Sequence, residues 1–373
     1  MNLIFSSWPY ISGQLHLGRL ISSFIPGDCY RRLLVLNNKK SLHYSGLDCY
    51  GEKEIRNIEE VILRNYNIHK EVFKKLSIEL EEYGKTSDKL FKEYCTKNLL
   101  RLKREGTIFL KEIFYPYCPK CKIERRVRGT RTGPSCLGDL IQNYEKRLVL
   151  LPLNKKENSR VVYEEVERLN ITPGLSSPFN KDKKIWVWIE ALHGYSFLTQ
   201  NFKDSSQTYF YGTDNEYFHK SLLPTLLNNN NTRTHYVSKY LLREEQKMSG
   251  SVGNFITIES FKDEESILRL YLLSLNLSKS DKNFKRSQYE LFKKWVLNKL
   301  LPVLDKEKPL EDSKEESKKI TSNLLQIYHK KKSFSFFIRI LQQEIKKKEN
   351  KNYLLITLII KILSPNLFSY RAL

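Results

Sequence analysis

Residues 2–7 form a short apolar run, Pro9 and Gly13 break it, and from Gly18 apolar residues recur at helical spacing as far as Arg32. A strand, a loop and a helix in that order leave few arrangements open, because a helix that folds back over a sheet leads into a strand parallel to the first. Residues 41–45 supply that second strand, ending at Gly46. Residues 54–104 are dominated by helical periodicity, carried by Ile55, Ile58, Val61, Ile62, Val72, Leu76 and Leu80. The alternation predicts an α/β domain with a parallel sheet and helical crossovers. From about Phe114 the character changes. Short segments, Gly129, Gly133, Pro134 and the close pair Cys118 and Cys121 predict a small inserted module. Residues 186–188 and 209–211 read as returning strands. Everything from Leu268 onward reads as helix, with a charged, mobile linker over residues 305–319. No internal repeat is present.

The chain has 373 residues, which suits two or three domains, and a net charge of +22. A charge of that size favours a polyanionic partner, nucleic acid first. The bland alternative is compositional: alanine occurs only at Ala191 and Ala372, and a genome rich in A and T would enrich lysine without any function behind it. Arg19 interrupts the N-terminal stretch and no small-residue cleavage site follows an apolar run, so a reducing, cytoplasmic setting is expected. The most apolar run, residues 353–363, carries Lys361 and is shorter than the roughly 20 residues a membrane span needs, so it reads as a buried helix and no membrane partner is expected.

Two constellations carry chemistry. The first, residues 8–19, lies between a strand and a helix and contains His16, Gly18 and Arg19. A helix N-terminus offers free N–H groups to a phosphate, Gly18 permits close backbone approach, and His16 can donate to a phosphate oxygen. By itself a His-x-Gly is an ordinary loop histidine. The second, Lys247-Met248-Ser249-Gly250-Ser251, places a lysine in a flexible loop, where it can neutralise charge building on a departing pyrophosphate. Their order and separation resemble the HIGH and KMSKS signatures of class I aminoacyl-tRNA synthetases.

Further segments resemble the methionyl-tRNA synthetase family within that class. Gly46-Leu47-Asp48-Cys49-Tyr50-Gly51 is similar to its acidic segment, in which the aspartate holds the amino group of methionine. Residues 186–195 resemble the segment lining the side-chain pocket, and Tyr211-Gly212-Thr213-Asp214 with Tyr217-Phe218-His219 resembles the next, in which the aspartate meets the ribose and the histidine lines the amino-acid pocket. Glu105-Gly106 and residues 117–121 match the entry to the family's connective insert, and residues 362–365 its last anticodon-domain helix.

The resemblance implies a Rossmann-like catalytic domain in two halves, 1–113 and 185–266, split by a connective insert at 114–184 with a zinc-knuckle remnant. A shortened, helical anticodon-binding-like domain follows at 267–373. It implies methionine–tRNA ligase activity with ATP and Mg²⁺, and methionine and tRNA as partners of a monomer. The catalytic groups would be His16, Lys247 and Arg19. ATP would meet His16, Gly18, Asp214, Lys247, Ser249 and Ser251, and methionine would meet Trp8, Tyr10, Asp48, Trp188, Ala191, Tyr195 and His219. A polarisable thioether packs well on aromatic edges, and a fixed carboxylate suits an α-ammonium. An ordinary buried strand would account for the tryptophans as well.

Cys118 and Cys121 have the spacing of half a zinc knuckle, with Cys136 a third candidate ligand and no fourth cysteine after it. Two readings stay open there, a Zn²⁺ site or a collapsed insert held by packing. The chain departs from the family at Arg19, where the HIGH-like motif has histidine, and at Gly250, where the second lysine of the KMSKS-like motif belongs. Gly250 and the shortened C-terminal bundle motivate an alternative: a paralogue that binds tRNA, or activates an amino acid, without charging.

Overall fold

The computed structural model describes residues 1–11, 14–50, 56–118, 123–124, 141–152, 156–157, 160–161, 163–169, 173–202, 205–227, 231–248, 253–305, 314–347 and 352–372. Its centre is a five-stranded sheet in which every pairing is parallel. β1 (Asn2–Ser6) lies in the middle, with β2 (Ser41–Leu47) and then β3 (Glu82–Lys85) on one side. On the other side lie the strands Ser206–Gly212 and then Arg233–Ser238. Parallel strands need crossovers on both faces, so a central strand is buried on both. β1 obeys this by alternation: Ile4 faces one core, while Leu3 and Phe5 face the other. The first core includes residues of the helix Ile25–Leu36 and of the C-terminal helices; the second includes residues of the helix Val187–Leu198.

The chain runs outward from β1 through β2 to β3, then restarts beside β1 at residues 206–212. The strand order therefore reverses between β1 and that strand, and ligands of open α/β sheets bind outside the carboxyl ends of the strands at such a reversal.

The sequence expectations hold for the parallel sheet, for β1 and for the helix Tyr353–Leu363, whose apolar residues are mostly buried. Elsewhere the structure corrects them. Residues 186–188 are not a strand. The strand Lys183–Ile185 ends first, and Trp186 precedes the helix Val187–Leu198. This helix is buried nearly all round, so its apolar run carries no amphipathic period to separate it from a strand. Residues 54–104 are dominated by helix as expected, in Ile58–Lys75 and Lys89–Arg104, but β3, which the periodicity did not announce, separates the two. An edge strand of four residues, Glu-Tyr-Gly-Lys, has too little pattern to announce itself.

The region from Phe114 holds short strands as expected, Ile123–Glu124, Lys156–Glu157, Arg160–Val161, Glu164–Glu165 and Glu167–Leu169, beside a long antiparallel ribbon that the sequence did not announce, Ile108–Cys118 paired with Ile141–Leu150. The expected mobile linker at 305–319 is helical at both ends, in Leu301–Asp305 and Lys314–Lys331, and its middle lies outside the described residues. The C-terminal region also contains one short strand, Lys282–Asn283, paired with Leu241–Leu242. Among the described residues no helix is long and apolar enough to cross a membrane.

Candidate active site

The carboxyl end of β1 runs into residues 7–11. Tyr10 bridges to Asp48 at the end of β2, with the Ile11 N–H donating to the Asp48 carbonyl at 2.9 Å and the Asp48 N–H to the Pro9 carbonyl at 3.0 Å. His16 then caps the helix that begins at Leu17. Its ring is buried, and Nδ1 has no protein partner. Burial first, then the Arg19 and Lys247 cations, lower its pKa to about 3, so the imidazole is neutral and carries one N–H. A Cβ at Gly18 would stand 3.0 Å from Nδ1 of that ring, which gives the glycine a local reason besides ligand approach. Arg19 is half-buried and donates to the Tyr10 carbonyl at 3.4 Å.

The second half of the chain closes on this end of the sheet. Asp214 follows the strand Ser206–Gly212, and Lys247 donates to its Oδ2 at 2.8 Å. Both side chains are 46% exposed. Lys247 Nζ also sits 4.3 Å over the Tyr240 ring. Just past the loop, the Ile256 carbonyl accepts from the Leu17 N–H at 2.8 Å, and Phe255 lies 6.2 Å from the His16 ring. The two signature motifs, more than two hundred residues apart in the chain, are thus neighbours. Ser249, Gly250 and Ser251 lie outside the described residues.

Behind them is an aromatic wall. Trp188, Ala191 and Tyr195 are spaced three and four apart on the helix Val187–Leu198, so they share a face. Trp188 stacks on Phe218 with centroids 3.8 Å apart. Tyr195 meets Trp8 edge-on at 6.1 Å. His219 Nδ1 lies 2.9 Å from the Asn215 carbonyl, which can only accept. Burial lowers the His219 pKa to about 4, so the ring is neutral with its proton on Nδ1, and Nε2 accepts from the Tyr195 hydroxyl at 2.9 Å. Tyr211 stacks on the other side of that ring at 4.1 Å.

Trp8 sits between two glycines. A Cβ at Gly46 would come within 2.5 Å of its ring, and one at Gly194 within 2.3 Å. Clamped from both sides, the indole cannot retreat. Gly194→Ala is therefore expected to destabilise the chain by about 1–3 kcal/mol, because a methyl forced into a filled space displaces its neighbours. Urea unfolding checks this, and an unchanged midpoint would show that Trp8 has room to move.

Sequence reasoning did not single out Glu190. It is fully buried, its Oε1 has no partner, and its Oε2 accepts from the Leu175 N–H at 3.3 Å. Burial pushes its pKa up to about 8. Burial first, then the Glu190 charge, pushes Asp48 well above the usual carboxylate range. Asp48 has no ion pair among the described residues. The available signal was one carboxylate inside the apolar run Val187-Trp-Ile-Glu-Ala-Leu192. Linkage gives the sign of a pH effect. The native carboxyl holds a proton that the unfolded chain releases above about pH 4.3, so the contribution of this group to stability is lost as pH rises from there to about 8. Glu190→Gln is expected to flatten that decline, and parallel stability curves for the two proteins would refute it.

Among the described residues no group of three His, Cys, Asp or Glu side chains could hold a metal. Cys121 and Cys136 lie outside the described residues, and Cys118 is seen only as the last residue of its strand.

A family model described as tRNA synthetases class I (M) matches residues 2–145 and 142–300. The methionine–tRNA ligase of Pyrobaculum aerophilum is 28% identical over 333 residues, covering 67% of this chain and 58% of that protein. That of Methanocaldococcus jannaschii is 26% identical over 432 residues, covering 90% and 65%. The chain thus spans about three-fifths of the length of these curated relatives. A solved structure of Mycobacterium tuberculosis methionyl-tRNA synthetase bound by methionyl-adenylate superposes with a TM-score of 0.69 at 14% identity, over 99% of this chain and 92% of that one.

Proposed function

The chain belongs to the class I tRNA synthetases of the methionine type, and from that membership we propose that it is a cytoplasmic methionine–tRNA ligase. The observation that carries this reading is the convergence at the strand-order reversal: His16 and the Lys247–Asp214 pair at its mouth, buried Asp48 and the aromatic wall behind. Nothing in that set is a poised nucleophile, and the proposed reaction needs none.

In the first step the methionine carboxylate attacks the α-phosphorus of ATP, and the bond to pyrophosphate breaks. A carboxylate is already anionic, so catalysis is positioning and charge stabilisation. The neutral His16 N–H would donate to a phosphate oxygen, and Lys247 would meet the departing pyrophosphate. Gly18, Ser249 and Ser251 would border the nucleotide, Arg19 would add positive charge, and Asp214 would take the ribose once Lys247 leaves it. Mg²⁺ would enter on the triphosphate, which supplies its oxygen ligands. Methionine would place its ammonium on Asp48 and its thioether among Trp8, Tyr10, Trp188, Ala191, Tyr195 and His219. In the second step a terminal ribose hydroxyl of tRNA attacks the adenylate carbonyl carbon, and AMP leaves.

We propose the four-part division read from the sequence, 1–113, 114–184, 185–266 and 267–373, for the same protein. Zn²⁺ at Cys118, Cys121 and Cys136 enters no step, since Cys121 and Cys136 lie outside the described residues. The test is methionine-dependent exchange of labelled pyrophosphate into ATP, with leucine and isoleucine as controls. Exchange with methionine alone supports the reading. A second reading, motivated by Gly250, is a paralogue that binds tRNA without activating an amino acid. Tight tRNA binding with no exchange would select it.

A further inference from the structure

β1 and the strand Ser206–Gly212 pair as far as Ser6 and Phe210, and there they part. The first chain turns toward β2, where Tyr10 bridges to Asp48. The second stays paired with the strand Arg233–Ser238 through Gly212 and leads to Asp214. The candidate active site lies between these two walls. At their parting the Ser7 N–H donates to the Phe210 carbonyl at 3.1 Å. Ser23, 1% exposed, is built into this fork. Its hydroxyl donates to the Phe210 carbonyl at 2.7 Å and accepts from the Ser7 N–H at 2.8 Å and the Ser7 hydroxyl at 3.2 Å. A hydroxyl has one proton to give and two lone pairs, so its whole capacity is used here. The Ser23 carbonyl is fixed as well, accepting from the Ser6 hydroxyl at 3.1 Å. Ser23 reaches this place from a π-helical turn, Leu20–Phe24, in which the Ile25 N–H donates to the Leu20 carbonyl, five residues back. Such turns are rare and recur at functional sites.

We propose that Ser23 is a positioning residue for adenylate formation: by bonding both strands where they part, it fixes the opening of the fork and so the alignment of methionine on one wall with ATP on the other. The inference rests on the ligase reading and adds to it a residue that would touch neither substrate. Under that reading the ammonium of methionine meets Asp48, beside the first wall, and the ribose meets Asp214, past the end of the second. A small shift of one wall against the other leaves each set of contacts in place. It spoils the in-line approach of the carboxylate to the α-phosphorus, and a misplacement of about 1 Å costs on the order of a hundredfold in rate. Packing alone would be served by any side chain of this volume. Only a group that donates and accepts at once can bond the Phe210 carbonyl and the Ser7 amide together.

The test uses the full chain and two measurements, methionine-dependent pyrophosphate exchange and titration of methionine sites by equilibrium dialysis. In Ser23→Ala the kcat for exchange is expected to fall by about 10–100-fold, with KM for methionine and for ATP within threefold of the parent. The number of methionine sites per chain should stay the same. A merely structural role would lower sites and rate together, because unfolded chains neither bind nor react. Ser23→Cys fills the space with a weak donor and should lose rate as alanine does. It also decides by the same criteria if the alanine variant leaves too little folded chain to titrate. A kcat within threefold of the parent would overturn the proposal. So would sites that fall in step with the rate in both variants, or a cysteine variant at the parent's rate beside a slow alanine one, which would make packing the cause. Absence of exchange in the parent chain itself would defeat the ligase reading, and this role for Ser23 with it, so the two failures are told apart by which protein fails.

Discussion

Replacing Arg269 by alanine is expected to cost about 3–5 kcal/mol of folding stability, the scale for stripping one partner from a buried ion pair. Arg269 is 1% exposed and Asp28, its partner at 2.5 Å, is 0% exposed. Its other nitrogens donate to the carbonyls of Leu363 at 2.5 Å and Leu76 at 2.6 Å. One guanidinium thus joins the helix after β1, the end of the helix Ile58–Lys75, the helix Glu265–Ser274 and the end of the last long helix. Its loss leaves a buried carboxylate and two carbonyls short of donors. Burial alone would raise the Asp28 pKa, but Arg269, Arg32 and the Glu79 amide hold it below its ordinary value. The sign follows. This network contributes above the unfolded aspartate pKa of about 3.9 and is lost as pH falls through the lower native value. The deficit of the alanine variant should therefore be greatest near neutral pH and narrow in acid. Urea midpoints at several pH values measure this, and a loss below about 1 kcal/mol at neutral pH would mean that water replaces the guanidinium.

Lys247→Ala is expected to slow methionine-dependent pyrophosphate exchange about 10²–10³-fold, the effect of removing one preorganised donor from a developing charge. Residue 250 is glycine where the family's motif has its second lysine, so in the proposed mechanism the contact of this loop with pyrophosphate would fall on Lys247. The Lys247–Asp214 pair is half-exposed, and surface pairs of that kind contribute little to folding, roughly 0–1 kcal/mol. The variant should accordingly fold with near wild-type stability, separating the catalytic effect from a structural one. Exchange within threefold of wild type would remove Lys247 from the proposed mechanism.

The sequence determined those features that rest on neighbours along the chain. The apolar strand within residues 2–7, the helical pattern from Gly18 and the apolar helix 353–363 follow from periodicity, and the family motifs were legible residue by residue. Tertiary structure decided the remainder, for particular physical reasons. A helix buried on nearly every side has no period to read, so Trp188, Ala191 and Tyr195 became one face only once the helix Val187–Leu198 had formed. The unusual state of Glu190 and Asp48 comes from desolvation by packed neighbours, which a one-dimensional string cannot express. The glycine clamp on Trp8 joins residues 8, 46 and 194, and the Arg269 knot joins residues 28, 76, 269 and 363. Such contacts depend on how parallel strands order themselves in the sheet, and that order is settled by the closing of long crossovers, not by any local propensity.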